Sequence, residues 1–143
     1  MNKYAEIKKI NQEEYNAFPF GFAFTESQFE EAKKKLGVTD NSELISIGSG
    51  GFIRKSDEQA LEEMAERCSR RMQEAIANDP DGTGFIKDMF LYELANHEYC
   101  YTYELDDTLY ALDLTYDEVQ KDHRLMTGLE LAKAQYFANI DNY

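Results

Sequence analysis

The sequence predicts a single α+β domain spanning residues 1–143, mainly helical, with a small antiparallel β-sheet. Three observations point there. Helical stripes of apolar residues open behind Ser/Thr-x-x-Gln/Glu caps at Thr25, Ser56 and Thr115. A glycine turn, Gly48-Ser49-Gly50-Gly51, lies between the β-prone runs Leu44, Ile45, Ile47 and Phe52, Ile53. Phe18, Phe20, Phe22 and Phe24 alternate with Pro19, Gly21 and Ala23, a period of two that puts four rings on one face of a strand.

Taken in order, Tyr4, Ile7, Ile10 and Tyr15 mark a helix over residues 2–17 that Pro19 forbids from continuing. The Phe20 to Phe24 strand follows, expected to bury its aromatic face. Thr25 and Gln28 cap a helix with Phe29, Ala32 and Leu36 on its apolar stripe, and Gly37 stands where a left-handed C-cap is wanted. After the glycine hairpin, Ser56 and Gln59 open the strongest helix, with Ala60, Leu61, Met64, Ala65, Cys68, Met72, Ala75 and Ile76 on one side. Glu63 with Arg67 and Glu66 with Arg70 are spaced as ion pairs on its solvated face. The run from Asn78 to Gly84 breaks that helix, and Phe85, Ile86, Met89, Phe90 and Leu94 carry a new one to about Tyr99. Alternation of Tyr99, Tyr101 and Tyr103 reads as a short extended segment. Leu105, Leu109 and Leu112 form another short helix, and beyond the Thr115/Glu118 capping box Leu125, Leu129, Ala132, Tyr136 and Ile140 mark a final one.

Charge and composition narrow the function. The chain has 28 Asp and Glu against 15 Lys and Arg, net −13, spread through its length. Such a surface repels phosphate backbones and anionic lipid and favours basic partners, so no direct nucleic-acid or membrane contact is expected. Apolar residues at 43% and aromatics at 13% exclude intrinsic disorder. Only Cys68 and Cys100 occur, without a framework of paired spacings, and no run of eighteen apolar residues or signal-like N-terminus is present; a reduced cytoplasmic protein is expected.

Several constellations invite chemistry. Asp79 to Ile86 has acid, acid, hydroxyl, turn glycine and hydrophobic residue at EF-hand spacing, but the bidentate carboxylate position falls on Phe90 and Lys87 brings a cation. A helix connection capped by Asp or Thr fits better. Leu112 to Val119 has the cadence of a helix-turn-helix, yet Asp117, Glu118 and Asp122 would meet phosphates, so structural packing is the better reading. The glycine turn lacks the P-loop pattern and leads into a strand, so a hairpin explains it. Glu93 and His97, four apart, are spaced either for a structural hydrogen bond or for a metal site, the basis of an alternative reading as a small metal-dependent or nucleotide-handling enzyme. No cofactor is assigned, catalytic residues are unknown, and an enzyme is the lesser expectation.

The leading candidate site is Tyr99, Tyr101, Tyr103, Tyr110 and Tyr116 beside Asp106, Asp107, Asp113, Asp117 and Glu118. Tyrosine anchors interfaces and surrounding carboxylates steer a basic partner, although the same rings also make good core. The expectation is a non-enzymatic module that binds a basic protein; a homo-oligomeric structural component is a further alternative.

The runs FGFAFTESQFEEAKKKLG, ISIGSGGFIRKSD and GFIKDMFLYELANHEYCYTYELDDTLYALDLTYDEV resemble a family of small acidic proteins carried by phages and other mobile elements of gut bacteria. The resemblance spans roughly Phe20 to Tyr136, most specifically Tyr92 to Tyr99. It carries no catalytic role. It implies a genomic context in which small acidic proteins include inhibitors that present carboxylates to basic nucleic-acid grooves, an analogy at the level of class.

Overall fold

The computed structural model describes residues 1–141. It is mainly helical with one three-stranded antiparallel sheet, the class expected. The chain divides into two compact units, one of residues 11–69 and one of residues 1–10 with residues from 70 onwards.

In the unit of residues 11–69, β1 (Gly21–Phe22), β2 (Leu44–Gly48) and β3 (Gly51–Arg54) form a sheet ordered β1-β3-β2. The hairpin turns on Ser49 and Gly50, both at positive φ (53° and 77°), the two-residue geometry whose twist matches its strands. Helix α2 (Glu26–Leu36) starts at Thr25, whose side chain accepts the Gln28 N–H. Gln28 Oε1 in turn accepts the N–H of Phe24, one residue before the cap. Gly37, at φ 71°, ends the helix, with the Val38 N–H bonded to the Lys33 carbonyl in a Schellman arrangement. Leu36, Val38 and Phe52 form one core cluster of this unit, with Phe29 edge-on to Phe52 at 5.1 Å, and Ile53 is buried beside them in sequence.

Of the expected Phe20 to Phe24 strand only Gly21–Phe22 joins the sheet, and its rings are not buried on one face: Phe18 and Phe20 are half-buried, and Phe22 and Phe24 turn outward. Phe22 and Phe24 are 58% and 80% exposed. The inward face belongs to Gly21, opposite Phe52, where an added Cβ would lie 2.5 Å from the Phe52 ring. Periodicity groups residues by face without saying which face is inward, and here the Phe52 ring already fills the space.

The longest helix, α3 (Glu58–Ala77), buries Met64 and Cys68 and leaves Ala60 and Ala65 exposed. Ser56 does not cap it. Ser56 sits within a 3-10 turn, Lys55–Asp57, that runs straight into Glu58, and Arg54 Nε bonds Asp57 there at 2.7 Å. Arg67 pairs with Glu14 of α1 (Lys3–Ala17) at 2.9 Å instead of Glu63, because the neighbouring helix brings a carboxylate closer.

The other unit is built around α4 (Phe85–Asn96), which buries Phe85, Ile86, Met89, Phe90, Glu93 and Leu94. Facing it are the first turns of α1, α6 (Asp106–Ala111) and α8 (His123–Asp141). Tyr99–Thr102 form a single helical turn, α5, where an extended segment was expected. Strand and helix periods both place Tyr99 and Tyr103 together, and only Tyr101 tells them apart. Tyr99 and Tyr103 meet edge-on at 6.0 Å while Tyr101 is 80% exposed. Left-handed Glu98 and Tyr103, at φ 52° and 55°, limit the turn at either end.

The last stretch is two helices. α7 (Tyr116–Lys121) stops at Asp122, whose carboxylate accepts the Arg124 N–H and so starts α8. The reciprocal Thr115/Glu118 capping box opens α7. Thr115→Ala should cost about 1 kcal/mol in chemical denaturation, and Thr115→Ser only a few tenths.

Candidate functional site

Two sets of side chains carry functional content, and both lie in the unit containing α4. Glu93 projects from the last turn of α4 and is completely buried. Its Oε1 accepts the Tyr4 hydroxyl at 2.9 Å and Lys8 Nζ at 3.0 Å, and its Oε2 lies 3.2 Å from His97 Nε2. Lys8 also stands over the Tyr92 ring, 5.0 Å from its centroid. Burial alone would raise the Glu93 pKa, but the bonds from Lys8 and Tyr4 and the lysine charge hold it below the usual carboxyl range. Tyr4 shifts upward, first through burial and then through the same carboxylate.

This arrangement is a fastening between α1 and α4. The structural Glu93 to His97 bond weighed from the four-residue spacing is present. Tyr4 and Lys8, from 89 and 85 residues away in sequence, complete it. Neither was legible beforehand, because nothing local ties Tyr4 or Lys8 to α4. A metal at Glu93 and His97 would need further ligands, and among the described residues no group of three His, Cys, Asp or Glu side chains is placed to hold one. His123 lies at the start of α8, and Asp122 is engaged by Arg124, whose hydrogen bonds lower its pKa.

The remaining motifs resolve into local structure. Asp79, buried, accepts the N–H groups of Gly84 and Ile86 and caps α4, while Asp81 accepts from the Thr83 backbone and hydroxyl. The EF-hand-like loop therefore spends its carboxylates on the chain. Leu112–Thr115 joins α6 to α7, whose Val119 is buried and whose Asp117 and Glu118 are exposed.

The second set is the tyrosine-rich acidic segment. Tyr101, Tyr103, Tyr110 and Tyr116 are exposed at 80%, 68%, 85% and 45%, whereas Tyr99 is core, packed near Tyr136 and Phe137. Asp106, Asp107, Asp113, Asp117 and Glu118 are all exposed. Some of this charge is spent locally: Lys121 pairs with Asp117 at 2.8 Å, and the capping box holds Glu118. Asp106 and Asp107 occupy the first turn of α6, where its dipole favours them. Asp113, at φ 55°, closes α6 in a Schellman arrangement, with the Leu114 N–H on the Leu109 carbonyl. Between Glu98 and Asp122 there are eight carboxylates and one lysine, so the segment stays strongly electronegative.

Fold and site together define a mainly helical α+β protein with an exposed acidic, tyrosine-bearing segment and a buried glutamate fastening. Residues 3–135 match the model of a family of unknown function (DUF7659), and the chain belongs to that family. No match is found among curated proteins or among solved structures. No helix of the described residues is long and apolar enough to cross a membrane, and among those residues neither Cys68 nor Cys100 is disulfide-bonded, the Cys68 thiol donating to Glu14 Oε2 at 3.3 Å.

Proposed function

We propose that the segment spanning α5 to α7 binds a basic protein, acting as the inhibitor of a nucleic-acid-binding enzyme that a mobile-element setting implies, in a reducing cytoplasm. The observation that carries this reading is the exposure of four tyrosine rings beside Asp106, Asp107 and Asp113, which make no ion pair among the described residues. Rings held in water sacrifice apolar burial that a purely structural role would use, and tyrosine supplies interface area at low entropic cost. The carboxylates supply steering, which makes association fast and salt-sensitive.

The test compares two baits in a low-salt extract of the native host. One is the wild type; the other carries Asp106→Asn, Asp107→Asn, Asp113→Asn, Tyr101→Ser and Tyr110→Ser, all at exposed positions. A basic protein retained by the first and lost by the second, with affinity falling as salt rises, is the expected result. Identical capture by both baits would overturn the reading.

One observation favours a homo-oligomer as the second reading. In the unit of residues 11–69, Phe22, Phe24 and Ile47 are exposed at 58%, 80% and 42%, and Phe18, Phe20 and Phe22 contact one another in sequence. Light scattering that shows a dimer in wild type and a monomer in Phe24→Ser would support it; a monomeric wild type would remove it.

A further inference from the structure

In the unit of residues 11–69 a cavity of about 410 Å³ opens between the end of α2 and the end of β3, walled by Leu36, Val38, Ser42, Glu43, Arg54, Lys55 and Ser56. Its apolar side is made of Leu36 and Val38, both buried. Its polar side holds two cations of different kinds. Arg54 is fixed in place by Nε on Asp57 at 2.7 Å and Nη1 on the Leu36 carbonyl at 3.2 Å, which leaves Nη2 with no protein partner among the described residues. Lys55 is exposed, with no ion pair among the described residues, and the Ser56 hydroxyl makes no hydrogen bond among them.

We propose that this cavity binds a small phosphate monoester with a neutral, partly apolar body. An orientated guanidinium, an ammonium whose charge is also felt by the exposed Asp40, and a hydroxyl line one cavity with an apolar wall, the composition of a small-ligand site, and its volume lies toward the small end of the range for such sites. Phosphate is favoured over carboxylate by the number of separate donors on offer. With Nε given to Asp57, the side-on fork of Arg54 is no longer free for either anion. What remains is a set of separate donors, Arg54 Nη2, Lys55 Nζ and the Ser56 hydroxyl, which suits three oxygens spread on a tetrahedral group. Glu43 in the wall opposes any anion, so Arg54 and Lys55 must outweigh it for the phosphate and a second anionic group would find no further cation; the rest of the molecule is neutral. This site is independent of the tyrosine-rich segment, and either reading stands if the other falls.

The probes are phenyl phosphate, benzoate and phenol, each titrated into the full chain by calorimetry and by amide chemical-shift mapping. Phenyl phosphate should bind saturably, with shifts gathered at residues 36–38, 42–43 and 54–56, and should outcompete both other probes. Lys55→Gln, at an exposed position that leaves the fold intact, should weaken it roughly threefold or more, and Arg54→Lys about tenfold. No saturable phenyl phosphate binding up to about 10 mM overturns the proposal. So does benzoate or phenol binding equally well, or Lys55→Gln binding as wild type does.

Discussion

Gly82→Ala should unfold the unit around α4 more effectively than any other alanine substitution at a glycine of this chain. Gly82 has φ 78°, and a Cβ there would lie 2.1 Å from the carbonyl oxygen of Arg124. That oxygen belongs to the first turn of α8, which cannot retreat without disturbing Leu125 and Leu129 in the core. Gly128 makes the reciprocal approach: its Cβ would meet Ile86 Cγ2 at 2.5 Å and the Gly82 carbonyl at 2.9 Å. Overpacking combined with a left-handed backbone places Gly82→Ala at about 3 kcal/mol or more of lost stability. Gly37→Ala is the control, since it has φ 71° with nothing within 4 Å of the added atom. It isolates the backbone cost at about 1 kcal/mol. Thermal and urea unfolding of the three proteins would decide the matter, and equal losses for Gly82→Ala and Gly37→Ala would show that the loop and α8 are not in close contact.

Glu93→Leu is the second large effect. Leucine keeps much of the volume but leaves the buried Tyr4 hydroxyl without its acceptor, a loss of about 2–4 kcal/mol in chemical denaturation. The lower part of that range is favoured because Lys8 is 44% exposed and can turn to water. Adding Tyr4→Phe should recover part of the loss, because both polar ends are then removed together. The pH dependence has a definite sign. Folding lowers the Glu93 pKa below its ordinary 4.5, so the folded state prefers the ionised form. Its contribution is fully present above about pH 4.5 and disappears as pH falls through the folded value. Wild type should therefore lose stability between neutral pH and pH 3 more steeply than Glu93→Gln. Parallel curves for the two proteins would contradict an ionised Glu93 fastening.

What could be read from the chain follows from how local each signal is. The Thr25 and Thr115 caps, the Gly37 stop and the Ser49-Gly50 turn are settled within a few residues, and each appears where expected. Ser56 failed as a cap because Arg54 and Asp57 stabilise a 3-10 turn over the same residues. The outward phenylalanines and the helical Tyr99–Thr102 turn were misread because face and period depend on what the rest of the fold places opposite them. Of the candidate site, four of five tyrosines proved exposed, while Tyr99 was claimed by the core. Glu93 and His97 were visible as a pair on one helix, but Tyr4 and Lys8 reach them only through tertiary contact.

Helices α1 and α3 each pass from one unit into the other, so residues 11–69 are inserted, without a linker, into a body whose own chain is discontinuous. Within residues 11–69 the Asn11 side chain reaches the Cys68 carbonyl across 57 residues, whereas Tyr4 must find Glu93 across 89. Loop-closure entropy grows only slowly with length, so the longer span adds no more than about 0.5 kcal/mol, and the two units differ less in closure cost than their chain paths suggest.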